Sequence, residues 1–91
     1  MSGPLRAFTQ TIVLGNKPLR DYLLEVVVSF NRGVDIVEIM GKGRNISRAV
    51  TLYNMVMNRL GDSVALDHVE IGSLLERGRR ISYIKIRLKR L

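Results

Sequence analysis

The most constraining feature of this 91-residue sequence is the order in which two hydrophobic periodicities follow one another. Two segments place apolar residues at the 3.6-residue spacing of an amphipathic helix, and short β-branched segments enclose each of them. The first helical stripe, between Pro18 and Gly33, consists of Leu19, Tyr22, Leu23, Val26, Val27 and Phe30. The second, which ends before Gly61, consists of Ile46, Ala49, Val50, Tyr53, Val56, Met57 and Leu60.

Four strands are predicted around these helices, over residues 8–14, 34–40, 69–75 and 81–88. The resulting order is βαβαββ in a single domain, residues 8–91, after a disordered tail over residues 1–7. Because strand–helix–strand crossovers are right-handed, both helices are expected on one face of a mixed four-stranded sheet. The fold class is therefore α/β, of the two-layer α+β kind. The other face of the sheet is expected to be solvated or to bind a partner.

The charge of the chain is concentrated at its C-terminal end. Residues 1–76 contain eight basic and eight acidic residues, whereas residues 77–91 contain seven basic residues and no acidic one. The net charge of +7 and a pI near 10.6 favour a polyanionic partner. Eleven of the fifteen basic residues are arginine, which favours bidentate contacts with phosphate.

The C-terminal charges are predicted to lie on a β-hairpin. Its tip surrounds Gly78 with three arginines, Arg77, Arg79 and Arg80. A thin, positive tip suits a minor groove, where phosphates on both walls strengthen the negative potential. The following strand alternates between an apolar core face, Ile84, Ile86 and Leu88, and a cationic row, Tyr83, Lys85, Arg87 and Lys89. Solvated charge that only serves solubility is the alternative, which the one-sided clustering disfavours.

A second basic cluster lies in GKGRNISR, residues 41–48, where a loop leads into the second helix. Lys42, Arg44 and Arg48 are predicted to surround this helix N-terminus, which favours anions, and Asn45 or Ser47 is a candidate cap. A plain capped turn between strand and helix is the equal alternative. Lys17 lies beside the N-terminus of the first helix in the same way.

Other classes of function find little support in the sequence. There is no cysteine, the single histidine is His68, and no spacing suits a metal site. We therefore expect no enzyme, cofactor or metal. No apolar run approaches the roughly 18 residues that span a bilayer, and the N-terminus lacks a signal-peptide pattern, so a cytoplasmic protein without membrane contact is expected.

Three motifs together resemble a known family. LGNKPLRDY resembles a G-K-K-P-x-x-x-Y segment, GKGRNISRAV resembles R-G-R-A-I-S-K-A-V, and VMNRL with VEIGS resembles V-R-N-R-F with I-x-V-G-S. The terminal ISYIKIRLKR is similar to the last strand of the same family. Over roughly residues 8–90 the chain thus resembles the Alba family of archaeal chromatin proteins, which have the βαβαββ fold.

The resemblance implies a dimer that binds duplex DNA without strong sequence preference, and RNA in many members. Its basic body holds phosphates and its two hairpin arms reach into minor grooves. Carried over by position, the body residues are Lys17, Lys42, Arg44 and Arg48, and the arm residues are Arg77, Arg79 and Arg80. Lys85 and Arg87 on the cationic row complete the predicted contacts. The predicted dimer interface is Tyr53, Val56 and Leu60, although the second stripe could instead face the sheet.

The chain also departs from the family pattern. The first lysine of G-K-K-P, an acetylation position in the family, is Asn16 here, and the aromatic residue used in dimer–dimer stacking is Leu60. These changes resemble a divergent second paralogue, which can form heterodimers with the main form. The predicted function is a chromosome-associated, sequence-tolerant protein that coats or compacts duplex DNA. An RNA-binding protein, such as a ribonucleoprotein subunit, is the alternative. An aromatic content of 5% disfavours base stacking on single strands.

Overall fold

The structure, a computed structural model, describes residues 8–91, and the tail predicted over residues 1–7 lies outside them. The elements in chain order are β1 (Thr9–Val13), α1 (Leu19–Asn31), β2 (Ile36–Lys42), α2 (Asn45–Leu60), β3 (Val64–Glu76) and β4 (Arg79–Arg90). This confirms the predicted βαβαββ order. β3 starts at Val64, five residues before the predicted strand. The sequence pattern missed these residues because a β-bulge between Leu66 and His68 interrupts the alternation of side chains.

The four strands form one mixed sheet in the order β1-β2-β4-β3. β1 and β2 are parallel and are connected through α1, whereas β4 is antiparallel to both of its neighbours. β4 therefore lies inside the sheet, with Ile86 opposite Ile39 of β2 and Val69 of β3. The predicted fold class, a mixed sheet with two helices, is confirmed.

Both helices contribute to the single core cluster that they share with one face of the sheet. α1 buries Tyr22, Val26 and Phe30, and α2 buries Ala49, Leu52 and Val56. The predicted second stripe thus omitted Leu52, which is completely buried, and included Val50, which is 41% exposed. The buried line of α2 faces β2 and β4, and Val50 lies to the side, towards the edge strand β3.

The β3–β4 hairpin extends beyond the rest of the sheet. Pairing of β4 with β2 ends at Tyr83, opposite Lys42, whereas pairing with β3 continues to Arg79, opposite Glu76. We call the projecting ribbon, residues 73–82, the arm. Its two turn residues, Arg77 and Gly78, both have positive φ, 53° and 76°, as in a type I′ turn, whose twist matches that of the strands.

Candidate nucleic-acid interface

The loops that precede α1 and α2 meet at one end of the sheet. The approach depends on Gly41, where an added Cβ would lie 2.3 Å from the backbone oxygen of Asn45. Arg44 donates a hydrogen bond to Asn16 Oδ1 at 3.1 Å, and Asn45 Nδ2 donates to the carbonyl of Leu14 at 3.3 Å. The two loops therefore form one surface, on which Lys17, Arg44 and Arg48 come together.

Arg48 holds this surface in shape. Its guanidinium donates to the carbonyls of Gly15 and Lys17 in the first loop and, at 3.0 Å, to Asn45 Oδ1 at the start of α2. Neither predicted cap of α2 forms, because Asn45 is already the first helical residue and no side chain caps the helix. Arg48, predicted as a phosphate ligand, thus uses much of its donor capacity to fix the loop backbone.

Lys17 is also held within the chain. Its ammonium lies 2.9 Å from Glu25 Oε2 and 4.9 Å from the centre of the Tyr22 ring. The hydrogen bond with Glu25 is the main reason why the pKa of Lys17 is raised. Tyr22 in turn accepts a 2.7 Å hydrogen bond from the backbone N–H of Gly15, so the loop is fastened to α1.

Lys42 does not join the loop cluster, which corrects the predicted grouping with Arg44 and Arg48. Side chains alternate along β2, so with Gly41 towards the helices Lys42 projects from the opposite, open face of the sheet. There its ammonium lies 2.6 Å from Oε2 of Glu76, the last residue of β3 before the turn of the arm. Lys42 therefore connects the body of the sheet to the arm.

The predicted cationic row on β4 is interleaved with carboxylates. Ile84, Ile86 and Leu88 are buried as predicted, and the residues between them face the open side. Arg87 lies 3.0 Å from Glu38 Oε2 of β2, and Glu38 also accepts a hydrogen bond from Thr11. Arg87, predicted as a phosphate ligand, is thus already engaged in an ion pair.

A second contact on the open face joins β4 to its other neighbour, β3: Tyr83 donates a 2.5 Å hydrogen bond to Glu70 Oε2. This bond, and then the charge of Lys85, lower the pKa of Glu70, and the same bond raises the pKa of Tyr83. Lys85 lies directly opposite Glu70 in the β3–β4 ladder, so a carboxylate is its cross-strand neighbour. Carboxylates thus lie among the cations of the open face, and Lys42 and Arg87 form ion pairs with them, whereas Lys85 and Lys89 form none with any of residues 8–91.

Arg90, at the end of β4, has a structural role as well. Its guanidinium donates to the carbonyl of Phe30, donates at 3.1 Å to that of Val34, and lies 5.7 Å from the centre of the Phe30 ring. These contacts satisfy backbone acceptors at the C-terminal end of α1, where a cation is also favoured by the helix dipole. One of the seven C-terminal cations, Arg90, therefore stabilises the fold by these contacts.

The arm arginines differ from these paired cations. Arg77, Arg79 and Arg80 are exposed, and none forms an ion pair with any residue in the part of the chain that the structure describes. Together with Glu76 and Ile81, Arg77 and Arg79 line a concavity at the tip. Three exposed arginines without an ion pair among the described residues are thus carried on the projecting arm.

An apolar cleft of about 200 Å³ lies between α2 and the edge strand β3, on the helix side of the sheet. It is lined by Val50, Tyr53, Leu66, Val69, Ile84 and Ile86. The structure corrects the predicted interface at Val56, which is 0% exposed and packs inside its own subunit. Tyr53 lines the cleft, whereas Leu60 packs against the core at the end of α2.

Sequence reasoning missed the carboxylates that pair with the predicted cations. Glu76 is 34 residues from Lys42, and Glu38 is 49 residues from Arg87, so only the strand register brings them together. Within residues 8–91 the structure contains no group of three or more potential metal-ligating side chains. Over the same residues, no helix has the length and apolarity needed to cross a membrane.

Fold and charge together define a small two-layer α/β protein with exposed cations on the loops before its helices and on a projecting arm. The sequence profile of the Alba family matches residues 10–73, which is most of the chain up to the arm. The chain belongs to the Alba family, as the motifs predicted. The matched segment ends inside the arm and before its tip, so the arginine positions lie beyond it.

Curated relatives agree with this assignment. The "DNA/RNA-binding protein Alba 2" of Saccharolobus solfataricus is 48% identical over 82 residues, which cover 90% of this chain and 92% of the relative. The "DNA/RNA-binding protein Alba" of Methanocella arvoryzae is 40% identical over 84 residues, covering 87% and 88%. The chain is thus similar to archaeal proteins named for binding DNA and RNA.

Solved structures agree on the fold. Alba from Thermoplasma volcanium superposes with a TM-score of 0.77 at 29% identity, covering 89% of this chain and all of that one. ALBA1 from Trypanosoma brucei superposes with a TM-score of 0.79, covering 89% of this chain and 68% of that one. Identity to the trypanosome protein is 13%, so that likeness concerns the fold alone.

Proposed function

We propose that this chain is a non-enzymatic, chromosome-associated protein that binds double-stranded DNA with little dependence on sequence. The single observation that carries the proposal is the arm, whose exposed arginines project beyond the sheet and form no ion pair with any of residues 8–91. An unneutralised cation gains most from a phosphate, because no internal pair must first be broken. The names of the archaeal relatives support the same ligand class.

The loop surface is the second contact region in this proposal. Arg44 and Lys17 are exposed there, and each has donors beyond those that bond to Asn16 and Glu25, respectively. Contacts from such side chains go to phosphates, which carry no sequence information, so the binding is tolerant of sequence. Arg48 acts by shaping the loop, and Arg87 stays paired with Glu38.

The protein binds DNA as a dimer in this proposal, with the apolar cleft as the centre of the interface. Val50, Leu66 and Val69 are between 41% and 45% exposed beside Tyr53, which makes a continuous apolar surface. Such a surface on a small basic domain favours a protein partner. The partner is a second copy or an Alba paralogue, and two arms then reach along one duplex to coat or compact it.

RNA is the competing ligand, since the relatives' names include it. Base stacking on single strands is poorly supported here, because only 5% of the residues are aromatic and Tyr83 is the aromatic side chain of β4. The test is an anisotropy competition at about 150 mM salt between a labelled 30-bp DNA duplex of random sequence, its RNA counterpart and single-stranded DNA. An advantage of about tenfold for duplex DNA supports the proposal; equal or better competition by duplex RNA makes the protein an RNA-binding subunit.

Salt dependence tests the mechanism independently. If about four to eight phosphates are neutralised per dimer, log affinity falls with log salt at a slope of about −4 to −7. Replacing Arg77, Arg79 and Arg80 together by Ala is expected to lower duplex affinity by about tenfold or more and to leave the fold intact. A nearly flat salt dependence, or an unchanged affinity in the triple variant, would exclude the proposed use of the arm.

A further inference from the structure

The two faces of the arm differ in chemistry. One face continues the open face of the sheet and carries two rungs of the ladder, the pairs Leu74–Ile81 and Glu76–Arg79. The other continues the helix side and carries the pairs Ser73–Ser82 and Leu75–Arg80. We call this second set the acid-free face, because its four side chains include two hydroxyls, a guanidinium and an aliphatic group, but no carboxylate.

We infer that the acid-free face lies against the floor of the minor groove, and that Leu75 inserts there between base pairs. The inference rests on the proposed function, and it adds which face of the arm meets the bases and which residue deforms them. The opposite face carries Glu76, whose carboxylate is paired with Lys42 and offsets part of the positive charge there, whereas Arg80 lies on a face without a carboxylate. Ser73 and Ser82 can donate hydrogen bonds to the acceptors on the groove floor.

The width of the arm makes deformation necessary. Paired strands lie about 4.8 Å apart between backbones, so the ribbon with its side chains exceeds the roughly 6 Å width of a standard minor groove. A groove widens when an apolar side chain partly unstacks a base step and bends the duplex towards the major groove. The arm can therefore lie along the groove only where such a wedge acts.

Leu75 has the position and the exposure that a wedge requires. It is 75% exposed, it lies two residues before the turn residue Arg77, and it pairs across the ladder with Arg80. A leucine beside an arginine combines an inserting group with a cation that holds the adjacent phosphate or base edge. Nothing in the packing of the described residues covers this side chain.

Two matched pairs of variants test the inference. Arg79 and Arg80 are adjacent exposed arginines on opposite faces, so Arg79→Ala and Arg80→Ala remove the same charge from different faces. Leu75 and Ile71 lie on the same face with 75% and 76% exposure, but Ile71 is about 13 Å further from the tip. Leu75→Ser and Ile71→Ser therefore separate an effect at the tip from a general loss of apolar surface.

Three readouts are taken on the full chain with a 30-bp duplex: affinity by anisotropy, bending by energy transfer between the duplex ends, and fluorescence of 2-aminopurine at a central TpA step. Binding of the unmodified chain is expected to raise the 2-aminopurine signal and bend the duplex. Arg80→Ala should lower affinity by about fivefold and Arg79→Ala by less than about twofold. Leu75→Ser should abolish the fluorescence rise and reduce bending, whereas Ile71→Ser should retain both.

The opposite results would overturn the inference in distinct ways. Equal losses of affinity in Arg79→Ala and Arg80→Ala would mean that the arm contributes only its charge and that neither face is preferred. A change of oligomeric state on size-exclusion chromatography with Leu75→Ser would assign Leu75 to the subunit interface. Unchanged 2-aminopurine fluorescence on binding of the unmodified chain would exclude a wedge. Undiminished affinity of the triple arginine variant would instead reject the arm itself, and with it the proposed function.

Discussion

The pair between Lys42 and Glu76 leads to the sharpest prediction about affinity. The two charged atoms are 2.6 Å apart, and the side chains are 33% and 40% exposed, so the pair is only partly shielded from water. Pairs of this kind contribute about 0.2–1 kcal/mol to stability. While the pair exists, Lys42 is not free to neutralise a phosphate, and Glu76 adds a negative charge close to the arm tip.

The substitution Glu76→Gln removes this competition with almost no change in shape. We expect duplex affinity to rise by about two- to fivefold per subunit, which corresponds to about 0.5–1 kcal/mol. The salt dependence should steepen by about 0.9 per subunit, since one more phosphate is neutralised. The free energy of unfolding should fall by no more than about 1 kcal/mol, measured by urea denaturation.

Asp62→Asn is the matched control. Asp62 is exposed in the turn after α2 and has no ion-pair partner among residues 8–91. It lies at the other end of β3, about 40 Å from the tip, far beyond the screening length of about 8 Å at physiological salt. Equal gains in both variants would show that net charge alone matters. An unchanged affinity in Glu76→Gln would refute the idea that the internal pair competes with phosphate.

Three further changes have expected outcomes. Arg77→Asn should raise the free energy of unfolding by about 0.5–1 kcal/mol, because asparagine tolerates the positive φ of a type I′ turn better than arginine does. The same substitution should lower duplex affinity, because it removes a cation from the arm. Thermal unfolding measures the first effect and anisotropy the second. Tyr83→Phe should raise the pKa of Glu70 towards its ordinary value in an NMR titration. Since a lowered folded-state pKa adds stability that is lost as the pH falls through it, the unmodified chain should lose more stability below about pH 4.5 than this variant. Tyr53→Asp should give folded monomers on size-exclusion chromatography, whereas Val56→Asp should unfold the chain.

The order of elements was accessible from sequence because the two periodicities are long and glycines separate them. Burial of Ile84 and Ile86 also followed directly from the alternation in the last strand. The start of β3 was not accessible, because the bulge at Leu66 and His68 shifts the alternation by one residue. Local pattern carries no information about such a shift, which depends on the partner strand.

The candidate site was predictable in composition but only partly in arrangement. A count of charges along the sequence identified the arm, because its three arginines are neighbours in the sequence and no long-range pairing is needed to recognise them. Lys42 was assigned to the wrong neighbourhood because its side of the sheet follows from Gly41, which faces the helices and makes room for Asn45. The acid partners required the register of three strands, so a count of basic residues overstated the free positive charge of the open face.

The alternation of faces along the arm also constrains how its length can vary. Adding one residue to each strand near its base would move every side chain of the tip to the opposite face, exchanging the surroundings of Arg79 and Arg80. Adding two residues to each strand would preserve the faces and extend the ribbon by about 6.6 Å. Viable length variants, whether natural or engineered, should therefore differ by whole pairs of ladder rungs, and reach can be altered in these steps without redesigning the body.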